Sequence, residues 1–383
     1  MSEPTHENVT CPSCGQQVPS GNYCIRCGAH LAREGRRQGF AAAPNEPRIL
    51  PSVISTLFPQ LPRTSMVAFR ISLVIGIVIV VVLELLKLFP LAVTVAAILV
   101  PLLTILYLYD VDEYEDEPLR VVALTVLWGA AAGIAVGLLS RYISPSGLGQ
   151  VAESTTKRVL VRGIGLPLLA TVLMLAGPLI LLPYRKFNDT LDGATFGGAC
   201  AVTFIGAQVI TQSTDLFSAG FRPQGLIYPR VVYLLEFSIA MPLLAGGVIG
   251  SAAGALWLRY RAPARDRRAL GLLGNPFVAI VLAAAAMVAA AFILIYVHSR
   301  TLAFILLLVM AALALPWLRQ VIHVGLIQEA AEIPVGPEIT CANCGHRTPQ
   351  HTFCINCGIA LKALPKAVPR RAAAPPAPTE GPA

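Results

Sequence analysis

Long apolar runs separated by short polar breaks fill the middle of the chain, and both ends turn polar and carry clustered cysteines. The apolar runs fall near 66–89, 90–109, 119–141, 162–183, 191–213, 229–258, 275–297 and 301–318. Most approach or exceed the roughly 20 residues that a helix needs to cross a bilayer. They lack the period-2 alternation of a membrane barrel strand. Lipid offers no partner to an open backbone, so each run is predicted as a helix. The pattern predicts an all-α polytopic membrane protein with about eight transmembrane helices and a small cysteine-bearing domain at each terminus. Pro90, between the first two runs, marks either a tight hairpin or a kink.

The polar stretches set the remaining organisation. Residues 1–30 form the first cysteine-bearing domain. Residues 31–65, with Arg33, Arg36, Arg37 and Arg48 among Pro and Ala, read as a flexible linker. Residues 66–320 form the transmembrane domain, and 338–362 the second cysteine-bearing domain. The Pro/Ala-rich tail, 363–383, is too poor in apolar side chains to fold alone.

Composition sharpens this picture. Hydrophobic residues make up 55% of the chain and charged ones 13%, about half the charged share of a soluble domain. That balance excludes a water-soluble protein, and no secretory signal is read ahead of the first apolar run. The net charge of +8 largely flanks the apolar runs, where lipid headgroups explain it. The bilayer is therefore the first expected partner, and nucleic acid is not expected. With an even number of spans both termini share one side. Loops on that side and on the opposite side carry eight Lys or Arg each. Arg63, Arg70 and Arg319 tip the balance toward a cytoplasmic side for both termini of a multi-pass cell-membrane protein.

The cysteines carry the clearest chemistry. Cys11-Pro-Ser-Cys14-Gly and Cys24-Ile-Arg-Cys27-Gly make one C-x2-C-x9-C-x2-C unit. Cys341-Ala-Asn-Cys344-Gly and Cys354-Ile-Asn-Cys357-Gly repeat its spacing. Each C-x2-C is a knuckle that aims two sulfurs at one ion. Gly15, Gly28, Gly345 and Gly358 follow the knuckles, where a positive φ lets backbone N–H groups reach sulfur. Two knuckles complete a tetrahedral thiolate shell for one structural Zn²⁺, so two ions are expected, one per unit. So short a unit has little core, and the metal must supply its folding free energy. Paired disulfides, or iron in the same geometry, are the alternatives. Tyr23 and Phe353 hold equivalent places and are expected over the knuckles. His346 and His351 are spare beside four cysteines. The ninth cysteine, Cys200, reads as a small packing residue. Both units resemble the short bacterial zinc-ribbon family, with Ala342 standing where that pattern usually has Pro. Such ribbons imply docking to an unknown protein partner, with pairing between the two ribbons as one form of contact.

Within the apolar runs, Gly129, Gly133 and Gly137, and again Gly246, Gly250 and Gly254, recur every four residues. That spacing flattens one helix face for close packing. A substrate groove is the other reading. Ionisable residues in spans default to functional hypotheses. Here they are Glu84, Lys87, Asp192, Glu236 and His298, with Gln208 and Gln212 as polar company. Glu84 and Lys87 are spaced to pair. Asp192 suits a helix start, and His298 an interface. Glu236 is placed deep with no partner near it in sequence.

The stretch Tyr107-Leu-Tyr-Asp-Val-Asp-Glu-Tyr-Glu-Asp-Glu-Pro118, ahead of Trp128-Gly129, resembles the entry segment of the PrsW-type intramembrane metalloprotease family. Phe187-Asn-Asp-Thr-Leu-Asp-Gly193, ahead of Phe196-Gly197, resembles that family's Asp-Gly segment. The resemblance covers about residues 100–260. It implies a helical membrane fold and a metal-dependent protease site. The site residues do not carry over. Ala170, Thr171 and Met174 stand where the family has two acids and a lysine, Gln208 stands for a glutamate, and residues 229–258 contain no histidine. A hydrolytic metal needs several charged or imidazole ligands and a base. The resemblance thus implies a pseudoprotease with no catalytic residues. The leading reading is a non-enzymatic membrane scaffold or regulator with zinc-ribbon docking modules. A metallopeptidase with a displaced site, and a small-solute transporter or channel, are the alternatives.

Overall fold

A computed structural model describes residues 7–31, 56–58, 60–61, 67–111, 119–143, 156, 158–184, 187, 189–214, 217, 227–261 and 268–361. Among the described residues, eight helices are long and apolar enough to cross a membrane. They are α1 (Val67–Leu85), α2 (Phe89–Val111), α3 (Leu119–Ile143), α4 (Arg158–Leu181), α5 (Thr190–Gln212), α6 (Tyr228–Tyr260), α7 (Pro276–Tyr296) and α8 (Arg300–Glu332). The chain is a multi-pass membrane protein. At Pro90 it makes a tight hairpin: Lys87 takes φ 60° and its N–H closes on the Glu84 carbonyl.

Helices α5 and α6 form the centre. Of the apolar stretch of each, 72% is buried, against 11% in α1, whose side chains face lipid. Small residues explain why these two helices can sit at the centre. A Cβ on Gly193 would lie 2.8 Å from the Ala253 carbonyl, so α5 and α6 touch backbone to backbone. The glycines of α3 lie against α5 in the same way: a Cβ on Gly133 would fall 2.3 Å from the Phe204 carbonyl. Gly246, Gly250 and Gly254 of α6 face Val202, Ala194 and Leu318, and Val321. Both stripes are packing faces. Close approach of this kind replaces the hydrophobic drive that is missing in lipid with dispersion and Cα–H···O contact. Trp128 ties α3 to α4 by donating from Nε1 to the Leu173 carbonyl at 2.9 Å.

Helix α8 runs on past the end expected at residue 318, to Glu332. Its continuation keeps an apolar stripe, with Val321, Ile322, Val324, Leu326 and Ala330 buried. Pro334 lies just beyond its end, and the residue before a proline is biased away from the helix. Each terminal domain is a two-stranded antiparallel hairpin followed by a knuckle. β1 (Asn8–Thr10) pairs β2 (Gln17–Pro19) with Val9 opposite Val18. β3 (Glu338–Thr340) pairs β4 (Arg347–Pro349) with Ile339 opposite Thr348, the same register.

Part of the stretch read as a flexible linker is seated. Phe58, Gln60 and Leu61 are buried against the ribbon end of the helices. They are apolar or hydrogen-bonded and lie between two folded bodies, which gives them somewhere to bury. Residues 32–55, 59 and 62–66, the acidic segment 112–118, the basic loop 262–267 and the tail from 363 lie outside the described residues.

Candidate metal centres

The hairpin turns present the first cysteine pair of each ribbon and the knuckle presents the second. Cys11, Cys14, Cys24 and Cys27 bring four sulfurs within 4.8 Å of one another, and Cys341, Cys344, Cys354 and Cys357 do the same. Cys11 and Cys27 stand 3.6 Å apart and Cys14 and Cys24 3.9 Å. The equivalent pairs in the second ribbon, Cys341 with Cys357 and Cys344 with Cys354, stand 3.8 and 3.9 Å apart. A tetrahedron of sulfurs about an ion at about 2.3 Å has edges of about 3.8 Å. Both clusters fit a single four-coordinate metal ion with no remaining open position.

The backbone shapes the cage as the glycine positions require. Gly15, Gly28, Gly345 and Gly358 have φ between 68° and 74°. Each glycine N–H closes the knuckle on the carbonyl of the cysteine four residues earlier, at 2.8–2.9 Å. The sulfurs are surrounded by donors. Hydrogen bonds from Cys24 and then Cys27 draw Cys14 well below the usual thiol range, helped by the Gln16 backbone. Cys341 and then Cys357 do so for Cys354, helped by the backbone of Cys357 and Asn356. The same sulfur hydrogen bonds, with burial, push Cys24 and Cys27, and Cys341 and Cys357, up, so the clusters favour one thiolate each, and a metal that binds all four sulfurs displaces the other protons.

The two ribbons sit side by side. Tyr23 N–H donates to the Ile355 carbonyl at 2.9 Å, and Phe353 N–H donates to the Ile25 carbonyl at 3.0 Å. Ile355 completes the small core of the first ribbon. Tyr23 covers the opposite knuckle, because a Cβ on Gly358 would fall 2.5 Å from its ring. Burial and then the Cys357 sulfur push the Tyr23 phenol up. Phe353 instead joins the cluster over the helix ends, with Leu61, Leu191 and Val321. His351, spare as a ligand, donates from Nε2 to the Ile333 carbonyl at 3.2 Å and accepts at Nδ1 from the Thr352 N–H at 2.8 Å, with Nδ1 3.0 Å from the Ile25 carbonyl. It links ribbon to ribbon and both to the end of α8. His346 turns back on the Cys344 carbonyl at 3.0 Å.

The ionisable residues of the membrane domain are arranged differently from the sequence expectation. Glu84 pairs with Arg230 at 3.0 Å, not with Lys87, which the αL turn carries away. Glu236 is fully buried on a π-turn of α6 and has a partner distant in sequence, Arg300 at 3.5 Å. Its other carboxylate oxygen has no hydrogen bond. Asp192 is not the cap of α5. Asp189 is, and Asp192 closes the capping box by accepting from the Asp189 N–H at 3.2 Å. Ala170, Thr171 and Met174 are packed in α4, and the Thr171 hydroxyl donates to the Pro167 carbonyl at 2.8 Å. Gln208 is half-buried, and His298 is exposed between α7 and α8. Cys200 is fully buried beside Gly177 and Trp128, as a packing residue. Arg230 and Arg300 count in the sequence among the basic residues of the loops opposite the termini, and their pairing with Glu84 and Glu236 is not legible there.

No known protein family, curated protein or solved structure matches this chain.

Proposed function

We propose that the chain is a non-enzymatic scaffold or regulator of the cell membrane, with two zinc-holding ribbons as cytoplasmic docking modules for a protein partner. The observation that carries this is the joint ribbon body seated on the end of α8, with its two thiolate cages each closed by four cysteines. A closed cage stabilises a fold and offers no position for substrate. Four thiolates select zinc over harder ions, and zinc does not cycle between oxidation states. Both termini are placed in the cytoplasm because reduced thiols persist there.

The membrane domain is read as a PrsW-like scaffold whose protease site has been lost. The positions that would hold two acids and a lysine are filled by Ala170, Thr171 and Met174, packed among neighbours. Glu84 and Glu236 are engaged by arginines. A buried carboxylate held by a guanidinium is a poor base and a poor metal ligand.

The test is a metal count on the full chain. The intact protein is expected to carry two zinc ions, and the Cys24→Ser/Cys354→Ser variant none. A stoichiometric ion that survives in that variant and disappears with Glu236→Gln would restore the metallopeptidase reading.

A further inference from the structure

Glu236 begins a π-turn, Glu236–Ala240, where α6 departs from a regular α-helix. There the Met241 N–H reaches back five residues, to the Glu236 carbonyl. Such turns inside helices recur at functional sites. The Glu236 side chain is 0% exposed. One carboxylate oxygen lies 3.5 Å from Nη1 of Arg300, and the other has no hydrogen-bond donor. An ionised carboxylate offers about four acceptor positions, so this one is poorly met for a full charge in a membrane span. An ionisable group placed there is a functional hypothesis by default.

The two ion pairs at this end of the helices differ. Arg230 holds Glu84 at 3.0 Å, the two side chains are 12% and 9% exposed, and the Phe89 ring lies 5.9 Å from the guanidinium. Neither partner can leave without stranding the other among apolar groups. The Arg300 side chain is 52% exposed. It stands on the first residue of α8, at the end opposite the ribbons, so water there can take its guanidinium. Glu236 cannot follow. A buried carboxylate left alone is neutralised rather than kept charged. The ligand that does this without needing room is a proton.

Little else competes for the carboxylate. Helices α2, α5 and α8 pack against the π-turn. Among the described residues, the half of α2 nearer this end carries no ionisable side chain, and the same half of α5 carries the neutral Gln208 and Gln212. From α6 itself come Arg230, engaged with Glu84, Tyr228, hydrogen-bonded to Thr301, and Tyr233, whose hydroxyl lies 3.4 Å from that of Ser213. Helix α8 brings Arg300, and His298 ahead of it is exposed.

We propose that Glu236 is a proton-binding site facing the side opposite the ribbons, where a proton from water and the Arg300 guanidinium alternate on one carboxylate. In one state the ion pair clips the start of α8 to α6. In the other, Glu236 is a neutral acid and Arg300 lies in water. The proton comes from that face and returns to it, and no other reactant is needed. The hydrogen bond between Tyr228 and Thr301 carries no charge and keeps the two helices together in both states. The inference goes beyond the scaffold reading and does not depend on it.

The test uses the full chain in lipid vesicles and dicyclohexylcarbodiimide, which enters the bilayer and adds to protonated carboxyl groups. Adducts are located by mass spectrometry. Labelling at Glu236 is expected to rise several-fold from alkaline to acidic buffer, while Glu84, in its closed pair, stays low in both. Arg300→Gln removes the competitor, and Glu236 is then expected to label strongly in both buffers. Arg300→Lys restores a competing charge and is expected to restore the dependence on pH. Glu236→Gln mimics the neutral state at a single pH. Its amide exchange at Phe304–Leu308 is expected to rise several-fold over that of the parent, with Ala311–Leu318 unchanged. No adduct at Glu236 in either buffer, equal labelling of the parent in both, or an Arg300→Gln pattern like that of the parent overturns the proposal. So does unchanged exchange at Phe304–Leu308 in Glu236→Gln.

Discussion

The N–H of Tyr23 donates to the carbonyl of Ile355, and 330 positions away from each partner the bond recurs from Phe353 to Ile25. The two ribbons are equivalent in spacing and register, so one contact implies its mirror. This is the logic of an isologous dimer interface, built here within one chain. The interface is small, and its centre is the pair Ile25 and Ile355, both buried. The pairing therefore rests on apolar burial plus a set of hydrogen bonds that includes Asn22 N–H to the Ile355 carbonyl at 3.1 Å and Asn22 Nδ2 to the Asn356 carbonyl at 3.3 Å, and none of these bonds uses a cysteine sulfur.

That independence gives the first prediction. Ile355→Asp places a charge in the core of the first ribbon and removes a buried side chain worth about 1.5–3 kcal/mol. The ribbons are expected to part while both metals remain. Amide hydrogen exchange at Tyr23 and Phe353 should rise, with the metal count unchanged. Loss of one metal in this variant would mean that pairing is a condition of metal binding.

Single-ligand loss gives the second. Cys24→Ser removes one thiolate from the first cage, whose folding the ion supplies. The metal count is expected to fall from two to one, with the membrane helices intact by circular dichroism. Because the ribbons share an interface, the remaining ion should also be lost at lower chelator concentration than in the intact chain. His351→Ala should add to that loss, since its ring contacts both the Ile25 and Ile333 carbonyls.

Much of this architecture was readable in the sequence, for physical reasons. Bilayer thickness fixes helix length, so eight apolar runs gave eight spans. Thiolate geometry fixes knuckle spacing, so eight cysteines gave two cages, and the glycines after them gave the φ values. What depended on distant partners was not readable. Glu84 is spaced for Lys87, but an αL turn removes that lysine and Arg230 arrives from 146 positions away. Gln60 sits in a Pro-rich stretch with the composition of a tether. Its side chain donates to the Gly28 carbonyl and its own carbonyl accepts from the Ala360 N–H at 3.4 Å. That clasp exists only because residues 28 and 360 are brought together. The end of α8 was set too early, because an amphipathic continuation beyond the bilayer has no continuous apolar run to mark it.

The ion pair at Glu84 supplies a third prediction. Both side chains are largely buried, so removing one partner leaves an uncompensated charge. Arg230→Met is expected to cost about 3–5 kcal/mol of stability. Glu84→Leu/Arg230→Met should recover much of that, because two apolar groups need no partner in lipid. Unfolding in mixed detergent micelles, run as a double-mutant cycle, reads the coupling. A double-variant cost equal to the sum of the Glu84→Leu and Arg230→Met costs would show that the two side chains do not interact.

The glycine stripe of α3 supplies the fourth. Gly133→Ala puts a methyl 2.3 Å from the Phe204 carbonyl, where backbone and not a flexible side chain must give way. Separating α3 from α5 is expected to cost about 1–3 kcal/mol, the range for overpacking. Gly198→Ala is the matched control, since its Cβ would meet only the Gly246 carbonyl at 3.7 Å. That variant should fold as well as the parent. If both variants unfold alike, helix propensity and general crowding, not this contact, govern the stripe.

Orientation is the last prediction, and two independent arguments bear on it. The helices place both ribbons at one end, so a single measurement fixes both termini. Loop charge alone divides evenly, and the flanking Arg63, Arg70 and Arg319 favour the cytoplasm. The thiolate cages favour it more strongly, because an oxidising face would convert neighbouring cysteines to disulfides and release the metal. Ser146, between α3 and α4, and Ala264, between α6 and α7, lie on opposite sides of any eight-span arrangement. A short epitope inserted at each reports sidedness without adding a thiol that would compete with the cages. In intact cells the epitope at 146 is expected to be reached by antibody, and the epitope at 264 only after permeabilisation. The reverse pattern would put the ribbons outside. The cages would then have to survive as metal sites in an oxidising medium, and the cytoplasmic docking role would fall with the orientation.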